Sequence, residues 1–149
     1  MRHILFAAAV AALATPAIAD AKGFHIDQII PGEGAESDCF RAYQRIGDKP
    51  PPGKSDVLDI FEDVGETGFI KIDGKVHTLH QTSDPNATGH ATYAGDGITA
   101  EESYRITRVD RNPDEGDTYH LKGHLKVTYG GEIQSVAVIG TDFCYSGGG

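Results

Sequence analysis

The sequence has no tryptophan and one methionine, and aromatic side chains make up only 8% of its 149 residues. A large aromatic core is therefore excluded, and 19 glycines point instead to many short segments joined by turns. Cysteine is scarce too: Cys39 and Cys144 are the two present, and without Cys-x-x-Cys spacing they lack the proximity of a catalytic redox pair. No His-x-His or His-Glu-x-x-His occurs, and none of the six serines stands in Gly-x-Ser-x-Gly. The usual marks of a zinc hydrolase and of a serine esterase are thus missing. Nowhere does an apolar run reach the roughly 20 positions that a membrane-spanning helix needs. Bases are outnumbered by acids, 13 to 22, for a net charge of −9 with histidine neutral. Such a surface repels nucleic-acid phosphates and anionic lipid, so cationic proteins or neutral glycans are the expected macromolecular partners, and a monomer is the expected state.

What is present begins with an address. Met1-Arg2-His3 gives a positive start, positions 4–13 form an apolar run rich in alanine, and Ala17-Ile18-Ala19 is a small-x-small cleavage site. The pattern predicts a signal peptide over 1–19 and export to the periplasm or beyond the cell. Cleavage removes one base, Arg2, and no acid, taking the net charge from −9 to −10. Residues 20–149 suffice for one domain and are too few for two with adequate cores. In an oxidising compartment the two cysteines allow a single disulfide, Cys39–Cys144, which would clasp the first and last strands.

Along the chain, period-two alternation dominates. Residues 39–46 put Cys39, Arg41 and Tyr43 on one face and Phe40, Ala42, Gln44 and Ile46 on the other. Three prolines at 50–52 end that strand in a surface loop. In 57–64 the apolar positions 57, 60, 61 and 64 fit helical spacing, yet the segment is short and rich in branched and aromatic residues, so a strand is expected. Asp73-Gly74 between 67–72 and 75–80 predicts a type I′ hairpin that pairs Ile70 with His77 and Phe69 with Thr78. A short strand over 90–94 stops at Gly95-Asp96-Gly97, and another runs over 102–109. Residues 119–129 alternate most cleanly, with Tyr119, Leu121, Gly123, Leu125, Val127 and Tyr129 inward. Residues 133–139 and 141–145 complete the set, while 20–38 reads as loop or one irregular strand. The expectation is an all-β single domain, a small antiparallel barrel or sandwich of seven to eight strands closed by the terminal disulfide.

No catalytic or metal-binding set emerges from the titratable residues. His120 and His124 share a strand face but stand about 13 Å apart at about 3.4 Å per residue, too far for one ion, and His77 and His80 point to opposite faces. Asp110, Asn112 and Asp114 have the opening spacing of a calcium loop, but Glu115 and Leu121 occupy the places for glycine and the bidentate acid. Carboxylate pairs for sugar cleavage occur by chance among 22 acids, which leaves a periplasmic hydrolase as a remote alternative.

From Cys39 to Cys144 the chain resembles small secreted bacterial β-proteins to which no activity is assigned. The resemblance rests on a cysteine followed by an aromatic, the hairpin Gly-Phe-Ile-Lys-Ile-Asp-Gly-Lys, and Gly-Gly-Glu-Ile-Gln-Ser-Val-Ala-Val-Ile-Gly before the last cysteine. The stretch Thr88-Gly89-His90-Ala91-Thr92-Tyr93 is similar to the Ser-Gly-x-x-Tyr loop of the periplasmic and membrane-bound inhibitors of C-type lysozyme, with Thr for Ser and one extra residue before Tyr93. That similarity implies an eight-stranded barrel and an exposed interaction loop carrying Thr88, Gly89 and Tyr93, inserted into the cleft of a cationic lysozyme. The first expectation is an exported, non-enzymatic binding or interaction protein of unspecified ligand, without cofactor or metal. Lysozyme inhibition is the alternative.

Overall fold

Period-two patterning produces strands throughout the computed structural model, which describes residues 23–34, 36–84 and 86–144. The expected signal peptide lies outside them. Nine strands follow in order: β1 (Ile26–Asp27), β2 (Cys39–Arg45), β3 (Phe61–Val64), β4 (Thr67–Ile72), β5 (Lys75–Gln81), β6 (His90–Gly95), β7 (Ile98–Asp110), β8 (Thr118–Tyr129) and β9 (Glu132–Cys144). From β2 onward each strand pairs antiparallel with the next, and β9 returns to pair with β2. The result is an eight-stranded up-and-down barrel, with β1 as an extra two-residue pairing on the end of β4. It is a barrel and not a sandwich. Among the described residues there is no helix.

The seam is closed twice. Cys39 lies directly opposite Cys144 in the β2–β9 register, and the two are disulfide-bonded across a sequence separation of 105. In the chain-entropy picture a loop of that length contributes about 4.7 kcal/mol.

The Asp73-Gly74 hairpin has the expected register, Ile70 opposite His77 and Phe69 opposite Thr78. Both turn residues have positive φ, 48° and 81°, as a type I′ turn requires. Asp96-Gly97 does the same at 52° and 74°. It is therefore a two-residue hairpin and not a stop, and β7 begins at Ile98, four residues ahead of its expected start. The two expected strands after Gly130-Gly131 likewise form one continuous strand, Glu132–Cys144. The expected strand over 57–64 is corrected to Phe61–Val64. Its first half is a corner, where the Asp59 carbonyl accepts from the Ile29 amide and the Ile60 amide donates to Tyr43. Ile60 and Phe61 are consecutive and both fully buried, which explains the helix-like spacing.

Inward residues divide the interior in two. Near the two-residue turns it is apolar: Ile70, Ile72, Leu79, Ile98 and Val127 are buried, and Phe24 and Ile26 close that end, with Phe24 edge-on to Tyr129. Towards the disulfide, larger rings meet, with Phe61 against Tyr93 at 5.3 Å and Tyr43 at 6.4 Å between ring centres. Gly140 admits the Tyr43 ring, since a Cβ there would stand 2.7 Å from a ring carbon and 2.3 Å from the Ala42 carbonyl oxygen.

Candidate functional site: a charged cluster at the disulfide end

The alternation that turns Tyr43 inward also turns Arg41 inward, two residues from the barrel rim. In register, Arg41 lies opposite Asp63 of β3 on one side and Asp142 of β9 on the other. Alternation along β7 likewise buries Glu102 and aims it across the interior at the same level. Arg41 Nη1 donates to Glu102 Oε1 at 2.5 Å and to Asp63 Oδ2 at 3.3 Å, while Nε and Nη2 both donate to Asp142 Oδ2 at 3.2 and 3.1 Å. The guanidinium carbon sits 4.7 Å from the centre of the Tyr104 ring. Asp63 is held from behind by the Tyr93 hydroxyl, which donates to it at 2.8 Å.

Three carboxylates thus share one cation. Glu102 is 1% exposed, and its Oε2, like the Tyr43 hydroxyl, is buried without a hydrogen-bond partner of ordinary geometry. The two atoms are close enough to bias each other's titration. Burial pushes Glu102 up to about 7 even though Arg41 favours its ionised form. Burial also raises Asp63, against the pull of Arg41. Burial alone would lower Arg41, but Asp63 and Glu102 outweigh it and raise the guanidinium. Tyr43 and Tyr93 are raised by burial first and by the Glu102 charge second. The cluster therefore holds an excess of acid that is relieved by taking up either a proton or a cation.

Arg41 and Asp142 are not sealed in; their side chains are 20% and 36% exposed. They border a recess of about 510 Å³ whose walls include Tyr104, Ile106, Tyr119 and Leu121 and whose rim is Asn86 to Gly89. A smaller space of about 200 Å³ reaches Arg41 and Asp63 from beside Glu66 and Gln81.

Of the residues expected on an interaction loop, Thr88 is exposed on the β5–β6 connection, and the Gly89 carbonyl beside it accepts from the Tyr104 amide. Tyr93 is a correction. It lies in β6, is 1% exposed, and spends its hydroxyl on Asp63. The extra residue before it moves it off the loop and onto an inward strand position. Asn112 accepts from the Asp114 amide and donates to Glu115, a turn tied internally. His77 faces the Asp96 carboxylate, and His120 that of Asp110. Among the described residues no group of three His, Cys, Asp or Glu side chains is placed to hold a metal ion, and no helix is long and apolar enough to cross a membrane.

Sequence reasoning missed Arg41, Asp63 and Glu102 as a set. One signal was available, since Arg41 shares a strand face with Cys39 and Tyr43. Compared with protein-family models, curated proteins and solved structures, the chain has no match, so its chemistry rests on the geometry of this end of the barrel.

Proposed function

We propose that the protein is an exported, non-enzymatic binding protein whose ligand carries a positive charge and seats in the recess beside Arg41. The observation that supports this is the imbalance of charge: three carboxylates close on one guanidinium, one of them, Glu102, fully buried. The rim continues the same sign, because Asp38, Glu66, Asp84 and Asp114 all lie on connections at that end. A cation approaching it moves down a focused field. Asp142 is the reachable carboxylate, Tyr104 and Tyr119 offer ring faces, and Ile106 and Leu121 suit an apolar stem. Export belongs to the reading because a structural disulfide persists where thiols are oxidised.

Calorimetric titration with an alkylammonium, its isosteric alcohol and its isosteric carboxylate tests this. The ammonium alone binds, and Asp142→Asn weakens it about tenfold or more. Equal binding of the alcohol or the carboxylate overturns the reading. Inhibition of a C-type lysozyme is the second reading, favoured by the exposure of Thr88 at the rim; its aromatic contact has to come from elsewhere than Tyr93. Inhibition of cell-wall lysis by stoichiometric wild-type protein, lost in Thr88→Ala, would favour that reading.

A further inference from the structure

The outer surface of β2, β9, β8 and β7 differs from the rest of this acidic molecule. Strand register sets its outward residues in rows: Ala42, Thr141, His120 and Arg108; then Gln44, Ile139, Lys122 and Arg105; then Ile46, Ala137, His124 and Ser103. No carboxylate stands within these rows, but Glu62 lies beside Ala42, Asp59 lies beside Gln44 and Ile139, and Asp110 contacts both Arg108 and His120, so the uncompensated charge is that of Arg105 and Lys122. Arg108 is paired with Asp110 beyond them, and Lys126 with Glu101, but Arg105 and Lys122 make no ion pair among the described residues. These two lie directly opposite each other across β7 and β8. Like charges in a direct cross-strand pair destabilise a sheet unless an anion lies between them.

The neighbouring half of the same face is apolar. Phe40, Ile46, Ile133 and Ile139, each between 36% and 61% exposed, are four of the six exposed large hydrophobic residues among those described. Phe40 is backed by Phe143 at 6.2 Å between ring centres. A shallow groove of about 630 Å³ joins the two halves, bordered by Ile46 and Ala137 on one side and by Arg105, Lys122 and His124 on the other.

We infer that this face docks on an anionic lipid surface. Charge complementarity selects the occupant: unpaired cations call for anionic headgroups, and an apolar stripe at the same level calls for the acyl boundary just beneath them. With a net charge of −9, the rest of the protein is repelled by such a surface, so the cationic face alone can approach it. The groove shares Gly89 and Tyr104 with the recess, whereas Arg105, Lys122 and the apolar stripe do not line the recess.

Flotation of the full chain with vesicles tests the proposal, using phosphatidylcholine alone and phosphatidylcholine mixed equally with phosphatidylglycerol. Binding is expected to the mixed vesicles only and to weaken with added salt. Because each basic side chain near such a surface contributes about fivefold in partition, Arg105→Glu with Lys122→Glu lowers binding at least about twentyfold. Ile139→Ser, which removes apolar area and no charge, lowers it by a smaller factor at unchanged salt dependence. Unchanged denaturation midpoints show that the variants fold. Equal binding to both vesicle types, no binding to either, or indifference to the charge reversal overturns the proposal. So does a concentration-dependent dimer that the same charge reversal abolishes, which would assign the face to a second copy of the chain.

Discussion

The two ends of this barrel are built from the same eight strands and have opposite characters. At one end, Asp73-Gly74, Asp96-Gly97 and Gly130-Gly131 are two-residue turns, and Phe24, Ile26, Ile72 and Ile98 fill the interior. At the other, the connections over 82–89 and 111–117 are longer, and the interior holds Arg41, Asp63 and Glu102. The first end also carries the long connection over 46–60, and Phe24, Ile26, Ile29 and Ile60 are buried there as an apolar plug, with the His77–Asp96 pair as a polar contact at its edge. The second end has no such plug, and its opening tolerates the solvent-linked charge that an apolar plug would exclude. Stability is concentrated at one end and chemistry at the other.

Unequal substitutions should expose that division. The largest effect is expected for Arg41→Met, which strands Asp63 and Glu102 without their cation. Removing one partner of a buried ionic cluster costs about 3–5 kcal/mol, and a urea titration near neutral pH reads it directly. Leu79→Ala at the apolar end should cost a comparable 2–5 kcal/mol or so by cavity formation alone. If Arg41→Met left the midpoint unmoved, the cluster would not be the electrostatic unit described here. Next comes Cys39→Ser with Cys144→Ser, expected to lower stability by about 2–4 kcal/mol in the same titration.

The pH response has a definite sign. Folding raises Glu102 from its ordinary 4.5 to about 7, and Asp59 from 3.8 to about 6, each by burial first. The folded protein therefore binds protons more readily than the unfolded chain. Their stabilisation is complete below the ordinary carboxylate range and is lost as pH rises through the raised values, by at most about 1.4 kcal/mol per unit for each group. Denaturation midpoints should decline as pH rises from about 4 to about 7 and level off above that, and Glu102→Gln should flatten the slope. The smallest effect belongs to the opposite end. Gly74→Val puts a branched residue at φ 81° and should cost about 1–2 kcal/mol in the same titration.

The strands were legible because alternation and turn chemistry are local, whereas barrel and sandwich stayed open because closure rests on the distant β2–β9 pairing. The inward face of β8 and the register of the Asp73-Gly74 hairpin follow from period and turn type alone. Where two rules met, the reading slipped: Gly95-Asp96-Gly97 contains the same Asp-Gly turn, but three turn-forming residues in a row resemble a loop. The site was far less legible. Asp63 and Asp142 adjoin Arg41 only through register, and Glu102 reaches it only because a closed barrel brings β7 across from β2. Tyr93 was misplaced for a related reason, since one residue in a strand decides whether a ring faces the core or the solvent.

The seam also bears on how the chain reaches this state. Every other pairing in the barrel joins neighbours in sequence, so hairpins can form from nearby segments, whereas β2 with β9 joins residues up to 105 apart. Contacts of that separation are slow to form because the intervening chain must order first. Until they do, the meander is an open sheet with two bare edges, one of them the 13-residue β9 carrying Ile133 and Ile139. Bare edges of this kind are templates for pairing with another chain. A covalent bond at the rim of that seam holds the two edges together, and so keeps a transiently opened barrel from offering them to its neighbours.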